Sequence, residues 1–306
     1  MSTATLLLPA RDRFPATALP DGVARALGRS DHSQEQPGEQ PQLRRHFSIS
    51  PDGWPVAALT RQLDVGDAAE ACWLRADPAY VVPDMQGARL MGHGETLAPT
   101  EEDAAALLPA LQTLFAEAGF GIDAPVPSRW YVRLPADAAL PVFTGPDEVL
   151  GDDLFAYLPE GEGARRWRAL LTEAQVLLHQ HPWNHVRKAQ GKPAINSLWF
   201  WGAGSLPQAV DSPHMQVRSR DSLLQALAKA AGADVDNRQQ VDALVDLRHL
   251  RSLDQLGNEA ITPLLAALGR GELRRLVLDF ADGARYSLEA SQRWRFWRRP
   301  AQLHAA

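Results

Sequence analysis

One segment of the chain concentrates side chains whose types suit ligand binding. Residues 173–204 read EAQVLLHQHPWNHVRKAQGKPAINSLWFWGAG and include His181, Asn184, Arg187 and Asn196. Imidazole, amide and guanidinium groups together suit a phosphate or a carboxylate, because arginine presents a fork of donors that matches either group. We therefore predict that these four residues bind a small anion.

Structural roles are the alternative for the same residues. His181 falls on the apolar stripe of a predicted helix, where a histidine is often a core or cap residue. Arg187 could pair with a nearby carboxylate, and Asn196 could cap the backbone of a loop. The sequence leaves both interpretations open.

The segment does not have the pattern of a metal site. His179 and His181 are two positions apart, so on a helix they point to nearly opposite faces, and a proline separates His181 from His185. The acidic clusters at residues 101–103 and 152–153 fall at predicted helix starts, where negative charge complements the helix dipole. No cofactor is recognisable, and Mn or Mg is expected only if the chain is an enzyme.

The elements that would position these residues follow from the hydrophobic pattern. Apolar residues at helical spacing predict a helix over residues 162–181, and a mostly apolar run predicts a central strand over 195–201. Asp282-Gly283 between two alternating runs predicts a C-terminal β-hairpin. Alternating strands and helices favour an α/β fold with a mixed, mainly parallel sheet flanked by helices.

Other segments complete this prediction. Residues 30–42 are polar and interrupted by prolines, which predicts a mobile loop. The chain is expected to form a single α/β domain over residues 1–306, with room for a subdomain around 100–200. Further strands are predicted at 6–8, 71–76, 80–82, 128–134 and 241–250, and further helices at 21–27, 54–63, 100–118, 221–231 and 256–268.

Composition limits the class of protein. A net charge of −6 over 306 residues argues against a chain built as a whole to bind nucleic acid. Cys72 is the single cysteine, which suits a reducing compartment. The first residues lack the basic stretch of a signal peptide, and their apolar run is too short to cross a membrane. We therefore predict a cytoplasmic protein with no membrane partner.

A basic and aromatic run lies near the end of the sequence. Residues 293–299 read RWRFWRR and form the candidate interaction tail. Two interpretations stay open: binding of an acidic partner, or a packed final element with solvated arginines. The tail residues considered for partner binding are Arg293, Trp294, Arg295, Trp297 and Arg298.

Two family resemblances rest on these motifs. Residues 181–196 fit the pattern His-Pro-x-Asn-x-x-Arg-x-x-x-Gly-x-Pro-x-x-Asn, and an apolar run and Gly-x-Gly follow. This stretch resembles the archaeal-type cofactor-independent phosphoglycerate mutases of the alkaline-phosphatase-like superfamily. A wider set of segments resembles the RpfE-type regulatory proteins of proteobacteria. That set comprises residues 46–64, 72–90, 127–135, 179–204 and 293–299.

The chain departs from what the mutase resemblance implies. Such mutases use a serine nucleophile and two divalent metals held by aspartate and histidine clusters, since the transfer develops charge on two oxygens. The chain has nine histidines but no Asp-x-His-x-x-x-His run and no Gly-Asp-His motif. Ser205 has no flanking nucleophile-elbow pattern.

Three functional hypotheses follow. The first is a regulatory or small-anion-sensing protein on a phosphoglycerate-mutase-like scaffold, without mutase turnover. Its partners would be a small phosphorylated or carboxylate ligand and a protein. The second is an active, metal-dependent isomerase or phosphatase of the same kind. The third is an interaction protein that uses the tail.

Overall fold

The computed structural model describes residues 2–15, 18–84, 87–235 and 242–303. These residues form two compact units. Unit 1 comprises residues 1–50 and 209–306, and unit 2 comprises residues 51–208. Residues 100–200 belong to unit 2. The single domain over residues 1–306 with a subdomain around 100–200 stays a prediction.

Unit 1 is built on a six-stranded sheet with a mixed strand order. Its strands are β1 (Ser2–Leu8), β2 (Asp31–Gln34), β10 (Gln216–Arg218), β11 (Ala243–Asp246), β12 (Leu273–Phe280) and β13 (Ala284–Leu288). The order is β10-β11-β1-β12-β13-β2, with β10, β11, β1 and β12 parallel and the other pairs antiparallel. A separate antiparallel ribbon pairs β3 (Ser48–Ser50) with β9 (Ala209–Asp211).

Helices flank this sheet. Those of unit 1 are α1 (Asp21–Arg29), α2 (Glu39–Arg44), α8 (Ser222–Ala230) and α9 (Thr262–Arg270), which a π-helical stretch at Gln255–Ile261 precedes. The predicted α/β class is therefore confirmed, with its mainly parallel sheet and its C-terminal hairpin. That hairpin is β12 and β13, joined through Asp282-Gly283.

Both faces of the unit 1 sheet carry buried apolar side chains, and one face also carries a buried charge. Successive side chains of a strand point to opposite faces, so Leu276, Leu278 and Phe280 of β12 all enter the core beneath α1 and α9. The residues between them, among them Val277 and Asp279, point the other way. Asp279 is thus presented at the carboxyl end of β12 on the face turned away from α1 and α9, beside the buried Leu7.

Unit 2 is organised around one long strand. Its strands are β4 (Cys72–Asp84), β5 (Gly87–His93), β6 (Gly121–Val126), β7 (Arg129–Leu134) and β8 (Ser197–Ser205). All of their pairings are antiparallel, and β4 pairs with β5, β7 and β8. The helices are α3 (Val56–Asp64), α4 (Glu101–Glu117), α5 (Pro146–Val149), α6 (Ala164–His179) and α7 (Trp183–Ala189). Aromatic side chains from α4, α6, β7 and β8 fill its core.

Three sequence predictions need correction. The sequence predicts separate strands at 71–76 and 80–82, but β4 is continuous, because Asp77 and Pro78 pair with β8 like their neighbours. Arg75 and Trp201 both donate to the Asp77 carboxylate. β8 was predicted to be central, yet among the described strands it pairs only with β4. Its aromatic residues Trp199 and Phe200 are nevertheless buried.

The third correction concerns residues 30–42, predicted as a mobile loop. They contain β2 and most of α2, because the free edge of β13 supplies hydrogen bonds that the local sequence does not reveal. Gln42 is fully buried, and its amide donates to the carbonyls of Leu8 and Asp279.

The remaining predicted elements are present, with shifted ends. Val241, the first residue of the strand predicted at 241–250, lies outside the described residues. None of the helices in the described part of the chain is both long and apolar enough to cross a membrane.

We predict that the hairpin glycine, Gly283, is required for β2 to dock. Its φ is +86°, and a Cβ there would overlap the Glu35 carbonyl, whereas Gly271 has a similar φ of +75° and open space around it. Gly271→Ala should lower the free energy of unfolding by about 1 kcal/mol through backbone strain, and Gly283→Ala by at least about 3 kcal/mol through strain and overlap. Urea unfolding followed by circular dichroism measures both, and equal losses would contradict the close approach of β2.

Candidate functional site

The carboxylate of Asp279 is fully buried at the carboxyl end of β12, on the face of the unit 1 sheet turned away from α1 and α9. Asp279 faces the segment that follows α2, where Arg45 and His46 stand side by side in the sequence. Arg45 donates from Nη2 to Oδ1 at 2.6 Å and from Nε to Oδ2 at 3.0 Å, and His46 Nε2 lies 3.0 Å from Oδ2. Both oxygens of the carboxylate are therefore bound.

The electrostatics keep this carboxylate charged. Burial raises the pKa of Asp279, but the hydrogen bonds from His46 and Arg45 outweigh burial and lower the pKa below its ordinary value. The ionised carboxylate in turn fixes the orientation of the His46 ring.

A second histidine continues the chain of contacts. His214 lies in the turn between β9 and β10, and its Nε2 is 3.0 Å from His46 Nδ1. When His46 is neutral and donates from Nε2 to Asp279, its Nδ1 accepts a hydrogen bond from Nε2–H of His214; when both nitrogens of His46 carry a proton, Nδ1–H donates to Nε2 of His214. Asp279, His46 and His214 thus form a relay along which a proton can be held or moved, which we call the Asp-His-His relay.

His214 stays neutral at physiological pH. Burial, together with the nearby charges of His46 and Arg285, lowers the pKa of His214 to about 4 against the opposing effect of Asp242.

A pocket opens on the same face of the sheet, towards its antiparallel edge. Its volume is about 260 Å³. Arg285 lies opposite Asp279 across the β12–β13 pair, with its Nε 3.9 Å from Oδ2 of that carboxylate. The lining residues are Asp31, His32, Ser33, Arg275, Val277, Arg285 and Ser287.

This arrangement can attract an anion and respond to it. Two guanidinium groups and two hydroxyls line the pocket, and such donors suit phosphate or carboxylate oxygens. Asp279 connects the pocket to the two histidines, because it lies near Arg285 of the pocket and is bonded to His46. A histidine oriented by a carboxylate can also accept or donate a proton during a reaction.

The residues of this site do not fit the two metals that the mutase resemblance implies. A divalent ion at Asp279 would have to displace the Arg45 guanidinium, which already holds both carboxylate oxygens. Among the residues that the structure describes, no group of three or more His, Cys, Asp or Glu side chains is arranged to hold a metal ion.

Arg187, the arginine of the ligand site predicted from sequence, is fully buried in unit 2. It forms an ion pair with Asp103 and donates to the carbonyls of Leu97 at 2.7 Å and Pro193 at 2.9 Å. Burial raises the pKa of Asp103, but bonds from the Trp183 indole and the Thr100 amide, together with the charge of Arg187, lower it overall. The structural alternative for Arg187, a carboxylate partner, matches these contacts.

The other predicted ligand residues lie at the same junction of α6, α7 and β8. The Asn184 side chain bonds to backbone groups of Leu178 and Ile195, and that of Asn196 bonds to both backbone groups of Val81. His181 Nδ1 accepts from a backbone amide two residues later. The side chains of all four residues form hydrogen bonds with backbone groups near this junction. Anion binding by these residues stays a prediction.

The predicted interaction tail lies on unit 1. Arg295 bonds to Asp31 and Arg298 bonds to a backbone carbonyl, while Arg293 lies over the ring of Trp294. Trp297 is 69% exposed.

Sequence reasoning missed the residues of the Asp-His-His relay. Asp279 could have been noticed, because it is the one acidic residue of β12, between apolar neighbours, and ligands often bind at the carboxyl ends of parallel strands. Arg45 and His46 stand together, which is a weaker signal. His214 has no local signal, since only the fold brings it to His46 across 168 positions of sequence.

Comparison with known proteins supports one of the two resemblances. A probable 2,3-bisphosphoglycerate-independent phosphoglycerate mutase of Geobacter sulfurreducens is 31% identical over 110 residues, which cover 34% of this chain and 27% of that protein. The corresponding mutase of Methanothrix thermoacetophila is 27% identical over 159 residues, covering 50% and 38%. Part of the chain resembles the cofactor-independent phosphoglycerate mutases.

The matches have limited reach. They span between 27% and 38% of the length of these two relatives, and no protein-family model matches the chain. The RpfE-type resemblance is not shown by these matches and stays a prediction.

Two solved structures align along most of the chain. One is a cofactor-independent phosphoglycerate mutase from Thermoplasma acidophilum, with 15% identity, coverage of 94% of this chain and 89% of that one, and a TM-score of 0.39. The other is the PH0037 protein from Pyrococcus horikoshii, with 12% identity, coverage of 94% and 87%, and a TM-score of 0.43. Both TM-scores are too low for any conclusion about this chain to rest on them.

We predict that Arg187 stabilises unit 2. Arg187→Met leaves the Asp103 charge buried without its partner, which should lower the free energy of unfolding by about 3–5 kcal/mol. Lys188→Met, at an exposed position of the same helix, should change stability by less than about 0.5 kcal/mol. Urea unfolding compares the two variants. If Arg187→Met kept wild-type stability but lost binding of phosphate, the ligand role predicted from sequence would be supported instead.

We also predict that His214 makes stability depend on pH. Its folded pKa of about 4 lies below the ordinary 6.5, so between these values the unfolded chain holds an additional proton and stability falls as pH drops. A difference of one pKa unit corresponds to about 1.4 kcal/mol. His214→Asn should therefore reduce the loss of unfolding free energy at low pH by roughly 1 to 3 kcal/mol. Unfolding in urea at pH 7 and at pH 4.5 measures it. His249→Asn is the control, because His249 is exposed and lies outside the relay. An equal reduction of the pH dependence in this variant would contradict the prediction.

Proposed function

We propose that this chain is a regulatory protein that senses a small phosphorylated or carboxylate ligand in the pocket beside Arg285, without mutase turnover. The observation that carries the proposal is that Arg285 is partly exposed and only weakly paired. Its side chain is 37% exposed at the pocket, and its contact with Asp279 is long, at 3.9 Å. A ligand anion would gain a charge-assisted hydrogen bond there.

The saturation of Asp279 supports this use of Arg285. Since Arg45 and His46 already bind both oxygens of the carboxylate, the Asp279 charge is largely neutralised before Arg285 reaches it. Arg275 lines the same pocket, and its pairing with Glu289 is between exposed side chains, where ion pairs contribute little and are readily exchanged.

The composition of the relay supports sensing rather than phosphoryl transfer. Transfer by a two-metal mechanism needs acidic and histidine ligands that are open to the metals. At Asp279 a guanidinium occupies the place where such an ion would bind. The regulatory role rests on the resemblance of residues 46–64 and the other matching segments to RpfE-type proteins.

An active, metal-dependent isomerase or phosphatase is the second candidate. The contact of 3.0 Å between His46 and Asp279 favours it, because a carboxylate-oriented imidazole is the arrangement that general-base catalysis uses. Manganese or magnesium would be required in that case, and turnover distinguishes the two candidates.

We predict that Arg285 governs anion affinity. Calorimetric titration with inorganic phosphate and with 3-phosphoglycerate should show binding to the full chain, and Arg285→Gln should weaken it at least about tenfold, since charged hydrogen bonds contribute roughly 1.5–3 kcal/mol. Arg274→Gln removes the same charge from an exposed position outside the pocket lining and should leave the affinity unchanged. Binding that is insensitive to Arg285 would place the anion elsewhere.

The same preparation tests turnover. A coupled assay for conversion of 3-phosphoglycerate to 2-phosphoglycerate, with and without manganese, should give no activity above that of buffer. Manganese-dependent activity that disappears in His46→Gln would overturn the regulatory proposal and establish the second candidate.

A further inference from the structure

Three large aromatic side chains stand exposed on the tail of unit 1. Trp294 is 65% exposed, Phe296 75% and Trp297 69%. The rings of Phe296 and Trp297 touch edge to face, with centroids 5.5 Å apart, so they form continuous apolar surface. Exposed aromatic surface of this kind marks interaction sites.

The backbone that carries these rings is held in place. Arg298 donates to the carbonyl of Ser30 at 2.6 Å, and Arg29 donates to the carbonyl of Arg293 at 3.1 Å. The carbonyl of Arg299 packs against Gly28 of α1, where a Cβ would overlap it. The exposure of the rings is therefore not a consequence of a loose chain end.

The chain is anchored on both sides of the rings as well. Gln292 is buried before them and donates to Asp31 and to a backbone carbonyl. Leu303 follows them, is 4% exposed and belongs to the core beneath α1. A surface that is fixed before binding loses less conformational entropy when a partner docks.

The charge around the rings is positive. Residues 293–299 contain four arginines and no acidic residue, in a chain whose net charge is −6. Arg293 lies 4.9 Å above the Trp294 ring. Tryptophan and arginine are the residue types that most often dominate binding energy at protein interfaces.

We propose that this tail surface, residues 293–299, docks a segment of another protein that carries acidic and apolar side chains. The apolar side chains would cover the rings of Phe296 and Trp297, and the carboxylates would pair with the arginines. This interaction goes beyond anion sensing, since it uses a different surface of the unit.

A peptide segment fits this surface better than a nucleic acid. Arg295 is already paired with Asp31, and Arg298 is engaged with backbone, so part of the positive charge is committed. A nucleic acid would need several unpaired cations to replace its counterions, whereas a short acidic segment needs one or two. The net charge of −6 also repels a polyanion.

The test is selection of displayed random peptides on the immobilised full chain, with counter-selection on Phe296→Ser/Trp297→Ser. We expect the enriched peptides to combine Asp or Glu with large apolar residues. By fluorescence anisotropy, synthetic copies should bind the double variant at least tenfold more weakly than the wild type. Met215→Ser, which changes another exposed apolar residue of unit 1, should bind like the wild type. Point substitutions are preferred to truncation, because truncation would remove Leu303 from the core.

Three results would overturn the proposal. The first is the absence of tail-dependent enrichment, or enrichment of basic peptides. The second is tail-dependent binding of oligo(dT) that is tighter than binding of every selected peptide, which would assign the surface to nucleic acid. The third is concentration-dependent self-association in sedimentation that Trp297→Ser abolishes, which would make a second copy of the chain the occupant.

Discussion

The burial of one carboxylate constrains much of unit 1. An ionised aspartate removed from water costs several kcal/mol unless it is paired, so Asp279 requires the guanidinium of Arg45 and the ring of His46. These partners can reach it only if the segment after α2 crosses the ends of β1 and β12, where Gln42 bonds to a carbonyl of each strand. The Asp-His-His relay depends on this crossing.

Unit 2 also contains a buried carboxylate that is neutralised by an arginine. Arg187 and Asp103 neutralise each other inside the unit, and the remaining donors of the arginine bind backbone carbonyls. The contacts hold the loop before β8 against the start of α4. Arginine is suited to this role because its fork of donors can satisfy several acceptors at once. A residue type that suits ligand binding can therefore serve the scaffold equally well.

Local signals explain which predictions succeeded. The capping residues of α4, the Asp-Gly turn of the hairpin and the apolar run of β8 act within a few residues, so the sequence displays them directly. The strand in residues 31–34 was missed because its stability comes from pairing with β13, far along the chain. The relay was missed for the same reason: Arg45 and Asp279 are 234 positions apart, and a sequence shows the charges but not their pairing.

The contact at Gly28 has an evolutionary consequence. Because the carbonyl of Arg299 occupies the space of a side chain at residue 28, α1 and the tail cannot vary independently. A related chain with any larger residue at this position must seat its tail differently and would present its aromatic rings in another direction. Residue 28 is thus a marker, readable from sequence, of which relatives share the docked tail described for this protein.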